Sequence, residues 1–229
     1  MNTTKARILV AALVVSIGGL QAQMQNVEDI GSVITNESAQ RWIENFKARH
    51  KDETYGHLYG NPVIGELLEG KGVAGVYIFN GLDGEGKTHL VFKTVNDKGE
   101  VINTIPPVDQ GALCPPNCPP RPRVAEVGET IAEGRAQQWI TNFQETKKDR
   151  LFAQLYGKSM LNKVMLQRGA EGLYFANAID EKGNERFVIA AIKADGYVMW
   201  DGIIVDQGQL CPPNCPKQYP VRVVAENRN

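Results

Sequence analysis

The chain has 229 residues, 42% of them hydrophobic and 22% charged, with 25 basic against 26 acidic side chains. That apolar content argues against disorder over most of the length. The balanced charge, with no basic stripe in either half, argues against nucleic acid as a partner.

The first residues read as an export signal. Lys5 and Arg7 precede an apolar stretch from Ile8 to Leu20, which gives way to Gln21-Ala22-Gln23, and cleavage is expected after Ala22. The stretch is shorter than the ~20 residues a spanning helix needs. The mature chain is therefore expected to have no membrane span and to reside in the periplasm or outside the cell, in an oxidising medium that permits disulfides. Residues 1–22 are assigned to the signal and 23–33 to a flexible N-terminus.

The remainder of the chain is one unit written twice. Val-Asp-Gln-Gly-X-Leu-Cys-Pro-Pro-Asn-Cys-Pro stands at Val108 to Pro119 and again, 97 positions later, at Val205 to Pro216. The same offset superposes Ala39-Gln40-X-Trp42-Ile43 on Ala136-Gln137-X-Trp139-Ile140, and Leu58-Tyr59-Gly60 on Leu155-Tyr156-Gly157. The units span 34–119 and 131–216. Between them, 120–130 reads as an extended Pro/Arg linker, and 217–229 as a fraying tail.

Each unit opens with apolar residues at helical spacing: Ala39, Trp42, Ile43 and Phe46, then Ala136, Trp139, Ile140 and Phe143. The tryptophans read as core anchors, and Asn36 or Ser38 as the N-cap of the first helix. A loop carrying Tyr59-Gly60 or Tyr156-Gly157 leads to a second short helix, Val63–Leu68 or Met160–Leu166. The period then shortens. Val76 and Ile78 alternate, Leu90 and Phe92 come after a turn at Asp83–Gly86, and Val101 after a turn at Asp97–Gly99; the second copy repeats this over Tyr174–Trp200. The expected fold is α+β, two tandem repeats of two helices plus a three-stranded antiparallel meander. Lone three-stranded sheets have unpaired edges, so the repeats are expected to pack as a pseudo-twofold pair.

The Trp-X-X-X-Phe helix, the Tyr-Gly pair, Gly72-X-X-Gly75-X-Tyr77 and Gly169-X-X-Gly172-X-Tyr174, and the Cys-Pro-Pro-X-Cys ending together resemble a group of small, uncharacterised bacterial proteins that carry one such unit. The resemblance implies unit boundaries. It implies no activity, and the tandem pair and the export signal depart from the single-unit pattern.

The strongest chemical candidates are Cys114, Cys118, Cys211 and Cys215. Four cysteines permit three pairings, with two local bridges preferred, each turning at Pro116-Asn117 or Pro213-Asn214. A zinc site would need both loops to meet and their thiolates to survive export. Redox pairs usually space their cysteines by two residues at a helix start, which is lacking here. Gly81 to Thr88 satisfies a phosphate-loop pattern, but the succeeding His89-Leu90-Val91-Phe92 reads as strand.

His50, His57 and His89 correspond to Lys147, Gln154 and Arg186 in the second copy and read as surface or turn residues. Asp109 and Asp206 recur at equivalent positions. They are expected to bond the cysteine loops, or to face each other across a twofold axis. The functional expectation is an exported, non-catalytic module with a binding or structural role toward a protein, peptide or glycan, with no cofactor and no metal. Tyr59, Tyr156, Tyr77, Tyr174 and Trp200 are its expected contact residues. The alternative is thiol–disulfide exchange or zinc binding through the two cysteine loops.

Overall fold

The structure, a computed structural model, describes residues 26–120, 123–217 and 219. The expected signal peptide lies outside the described residues. The first half supplies β1 (Ser32–Ile34), α1 (Asn36–Arg49), β2 (Gly56–Gly60), α2 (Asn61–Glu69), β3 (Gly75–Leu82), β4 (Thr88–Val95), β5 (Val108–Asp109) and β6 (Ala112–Cys114). The second supplies β7 (Glu129–Thr130), α3 (Glu133–Thr146), β8 (Ala153–Gly157), α4 (Lys158–Met165), β9 (Ala170–Ile179), β10 (Glu185–Lys193), β11 (Ile204–Asp206) and β12 (Gln209–Cys211).

These elements form a mixed α+β fold with two antiparallel six-stranded sheets, ordered β1-β11-β10-β9-β2-β6 and β12-β8-β3-β4-β5-β7. Each sheet draws strands from both halves of the chain, which corrects the expectation of one meander per unit. Strand β2 pairs with β9, setting Leu58 opposite Tyr174, and β8 pairs with β3, setting Tyr156 opposite Val76. The expected third strand at Val101 is a single bridge to Val95. Its place beside β4 goes to β5, through Phe92 and Val108.

The Tyr-Gly loops are strands too. All five residues of β2 and of β8 are buried, so no polar alternation marks them as strands in the sequence. Their terminal glycines are forced by contact. A Cβ on Gly60 would enter the carbonyl of Ala125, and one on Gly157 the carbonyl of Glu28. The same glycines donate to Val127 O and Ile30 O at 2.8 Å. The segments expected as flexible N-terminus and linker are thereby packed where they are described: 3-10 turns at Val27–Asp29 and Val124–Glu126 bury Val27 and Val124, and β1 and β7 close the sheet edges beside β11 and β5. In the expected tail, Tyr219 is buried and bonds Lys93, itself only 2% exposed, and Glu133.

Side-chain alternation along the strands creates three apolar layers. Val76, Ile78, Leu90 and Phe92 of one sheet meet Leu173, Phe175, Phe187 and Ile189 of the other in a central core, which Leu67 of α2 and Leu161 of α4 complete. Phe92 and Phe175 touch edge to face across it, 5.1 Å between centroids. On the outer faces, Ala39, Trp42 and Ile43 of α1 cover β9 and β10, while Ala136, Ile140 and Phe143 of α3 cover β3 and β4. Helix α1 is capped by Thr35, whose hydroxyl accepts the Ser38 amide at 3.2 Å. The expected caps Asn36 and Ser38 lie within its first turn.

Charge also joins the halves. Glu53 accepts from Arg150 at 2.7 Å and pairs with Lys147 at 3.4 Å. Positions 53 and 150 are 97 apart, so equivalent positions with opposite charge meet.

Because the central core is shared, urea unfolding tracked by tryptophan fluorescence and by circular dichroism is expected to give one coincident transition. Phe175→Ala should lower stability by about 3–5 kcal/mol without splitting that transition. Two resolved transitions, one per sequence half, would contradict the interleaved sheets.

Candidate functional site

The β3–β4 turn is organised by Asp83. One carboxylate oxygen accepts the amides of Glu85 and Lys87 at 2.9 and 2.8 Å, the bonding typical of a short acidic side chain in a turn. The other lies 3.1 Å from His89 Nε2. On its far side, His89 Nδ1 lies 2.7 Å from Asp109 Oδ2, and Asp109 Oδ1 accepts the Tyr59 hydroxyl at 2.8 Å. Only the imidazolium form can donate to both carboxylates at once. Burial alone pushes His89 down, but the bonds to Asp109 and Asp83 outweigh it and hold the ring's pKa above the ordinary value. Trp139 of α3 stacks on the imidazole, with ring centroids 4.1 Å apart.

The second half has the same framework with different chemistry. Asp180 accepts the amides of Lys182 and Asn184, both at 2.9 Å, and pairs with Arg186 at 2.6 Å. Arg186 reaches toward Asp206 at 3.8 Å, and Asp206 accepts from Tyr156 at 3.1 Å and from Gln154 at 2.9 Å. Burial raises Asp206 to about 6 against the opposing pull of Arg186 and its hydrogen bonds. Burial together with the adjacent Asp109 or Asp206 carboxylate raises both tyrosines, Tyr59 and Tyr156, well above their ordinary value.

His57 and Gln154 complete the two clusters. Gln154 donates to Asp206 and to Gly208 O at 3.2 Å and accepts the Phe187 amide at 2.8 Å. His57 is fully buried, and neither ring nitrogen has a hydrogen-bond partner. Burial lowers its pKa to about 3, in spite of Asp109 nearby, so the ring is neutral.

Several expectations are corrected by this geometry. Tyr59 and Tyr156 are fully buried, and Tyr77 and Tyr174 are 4% and 5% exposed, so none of the four can meet a partner. Tyr59 and Tyr156 face the central core between the sheets, and Tyr77 and Tyr174 face the outer layers that the helices cover. Trp200 keeps partial exposure, packed edge-on to Tyr174. His57 and His89 are not surface residues: His57 stands two before the inward Tyr59, and His89, on the face of β4 opposite Leu90, is covered by Trp139 of α3. Asp109 and Asp206 bond neither the cysteine loops nor each other but these tyrosine-centred clusters.

The cysteines pair locally, Cys114 with Cys118 and Cys211 with Cys215, at Cα separations of 4.4 and 4.7 Å. Each turn falls at the two prolines, one residue earlier than the sequence suggests, and is closed by Asn117 N–H to Leu113 O at 2.8 Å or Asn214 N–H to Leu210 O at 3.0 Å. Thr88 of the phosphate-loop pattern begins β4, so no helix N-terminus is available to phosphate there.

Beside the first cysteine loop lies an open cleft of about 1070 Å³, lined by Lys87, Gln110, Leu113, Asn117, Arg123 and Glu129 among others. It adjoins a hollow of about 480 Å³ over His89 and Trp139. Gln110, at φ 63°, turns the chain from Asp109 into this cleft, and Gln207 stands at the equivalent corner with φ 58°. No family model, curated protein or solved structure matches the chain.

His57→Gln would let position 57 make the bonds that Gln154 makes. The variant should be more stable than the parent, and more so in acid. His57 is depressed in the folded state, so its contribution is intact above the unfolded value of ~6.5 and is lost as pH falls, by about 1.4 kcal/mol per unit. Urea denaturation at pH 5 and pH 8 checks this: an equal gain at both would mean that His57 is not held neutral.

Proposed function

We propose that the chain is an exported, non-catalytic binding module, built from two tandem repeats that pair about a pseudo-twofold axis. It takes a protein, peptide or glycan along the cleft beside the first cysteine loop. This reading extends the resemblance to single-unit bacterial proteins, with the fused pair in place of the lone unit. The observation that carries it is how the shared polar residues are used. Asp83, Asp109 and Tyr59, like Asp180, Asp206 and Tyr156, bond to one another and to the backbone inside the fold. The cleft, by contrast, keeps the shared Gln110, Leu113 and Asn117 but adds charges that the other half lacks: Lys87 and Arg123 stand where the sequence offset gives Asn184 and Asn26. A concave surface with a few charged groups and a disulfide-closed rim suits recognition.

The local cysteine bridges are compatible with an oxidising compartment and support a structural use of these residues over the thiol alternative. Cys114 and Cys211 are 1% and 0% exposed, which restricts attack by an external thiolate.

Two measurements test the proposal. Thiol titration and intact mass of the protein recovered from its host should show four oxidised cysteines, loss of residues 1–22 and no zinc. Fast exchange with glutathione would instead favour disulfide chemistry. Screening the mature chain against peptide and glycan libraries should yield a ligand whose affinity falls at least about tenfold, or about 1.4 kcal/mol, in Arg123→Glu or Leu113→Arg. Val33→Ser, at an exposed position of β1, should leave it unchanged. Binding indifferent to the cleft substitutions would refute the site.

A further inference from the structure

The hinge of the first half's polar cluster is a titratable residue where the second half has a permanent cation. His89 and Arg186 stand at equivalent positions, and both sit between an aspartate that organises a hairpin turn and one that ends a short strand. We propose that His89 is a proton-operated clamp, which in its charged form holds the Asp83–Lys87 turn against the Asp109–Gly111 corner and which releases the turn when its proton leaves.

The two walls the clamp joins are walls of the cleft and the hollow. Lys87, Gln110 and Gly111 line both, and Asp83, Glu85 and His89 itself line the hollow. The clamp stands on this geometry alone and does not depend on what the cleft binds.

The direction of release is set by burial. When one nitrogen gives its proton to solvent, the ring keeps a single donor and turns a lone pair toward the other carboxylate. Asp109 is only 1% exposed and sits at 2.7 Å, whereas Asp83 is 16% exposed and sits at 3.1 Å. An unpaired carboxylate costs most where it is most buried, so the remaining proton stays on Nδ1 facing Asp109. The Nε2 lone pair then faces Asp83, and that contact becomes repulsive. Asp83 also holds the turn's Glu85 and Lys87 amides, so its displacement loosens the whole turn. In the second half Arg186 retains its charge throughout the same range.

Other charges surround the ring. On its own hairpin, Lys87 and Glu85 pair with each other at 2.6 Å on the surface. From β2, Tyr59 stays protonated behind Asp109, and His57 is neutral. From α3, Arg135 lies 5.9 Å from the Trp139 ring that stacks on His89. Asp206, in the other cluster, changes charge near pH 6, so a comparison made above pH 7 isolates His89.

The sign is that of a base raised on folding. The clamp is fully engaged below ~6.5 and is lost as pH rises through the value in the closed state, by about tenfold in the opening equilibrium for each unit between the two. The test is nuclear magnetic resonance of the mature full chain. The imidazole of His89 should titrate above ~6.5. Amide hydrogen-exchange protection at Glu85 and Lys87, corrected for intrinsic rates, should fall several-fold from pH 7 to pH 9, while Lys182 and Asn184 keep theirs as internal controls. In His89→Arg the fall should vanish, and in His89→Gln the turn should already be loose at pH 7. A His89 that titrates at or below ~6.5, an equal fall in both turns, or a fall that persists in His89→Arg overturns the clamp. Should the variants fail to fold, the wild-type titration and the comparison of its two turns decide the matter.

Discussion

The pairing of β2 with β9 and of β8 with β3 forces the arrangement of everything around it. Each of these strands is buried on both faces, and β2 and β8 each bring a tyrosine into the space between the sheets. Neither half of the chain can complete a sheet without the other, so the central core is a joint product. That requirement draws in the flanking segments too. The 3-10 turns before β1 and β7 must lie against Gly157 and Gly60, where only glycine leaves room for their carbonyls.

Burying two tyrosines between sheets obliges the fold to satisfy their hydroxyls, because an unpaired polar group there costs about 1–3 kcal/mol. Asp109 and Asp206 do so, and each buried carboxylate then needs a cation. The two halves answer differently, one with His89 and the other with Arg186. Their neighbours differ in step: Gln154 bonds its cluster three ways, whereas His57 makes no hydrogen bond. The first half thus holds two imidazoles with opposite tendencies, His57 lowered by burial and His89 raised by the carboxylates beside it. The same divergence places Glu53 opposite Arg150, where two identical copies would set like charges together.

Part of this architecture is legible in the residues and part is not. The helices α1 and α3 are announced by Ala39, Trp42, Ile43 and Phe46 and their counterparts, since one apolar stripe on a helix leaves a clear period. The hairpins are announced by Asp83 and Asp180 in turns. Strands β2 and β8 are hidden because full burial erases alternation, and their glycines mimic a loop. The polar cluster is hidden because its members are far apart in the chain. One signal is present: His89 with Arg186, and His57 with Gln154, substitute hydrogen-bonding side chains for one another at equivalent positions of the two copies.

The recurrence of residues at an offset of 97, the helix faces, the turn aspartates and the local pairing preference of the cysteines can all be read from residues alone, because each depends on neighbours a few positions away or on direct comparison of two segments. Packing between distant segments was needed to set which half completes which sheet, to turn four tyrosines inward rather than toward a partner, and to seat His89 between two carboxylates. Those outcomes depend on hydrogen bonds and burial between segments as distant in the chain as Ser32 and Asp206, and chain-local periodicity carries no record of such distances.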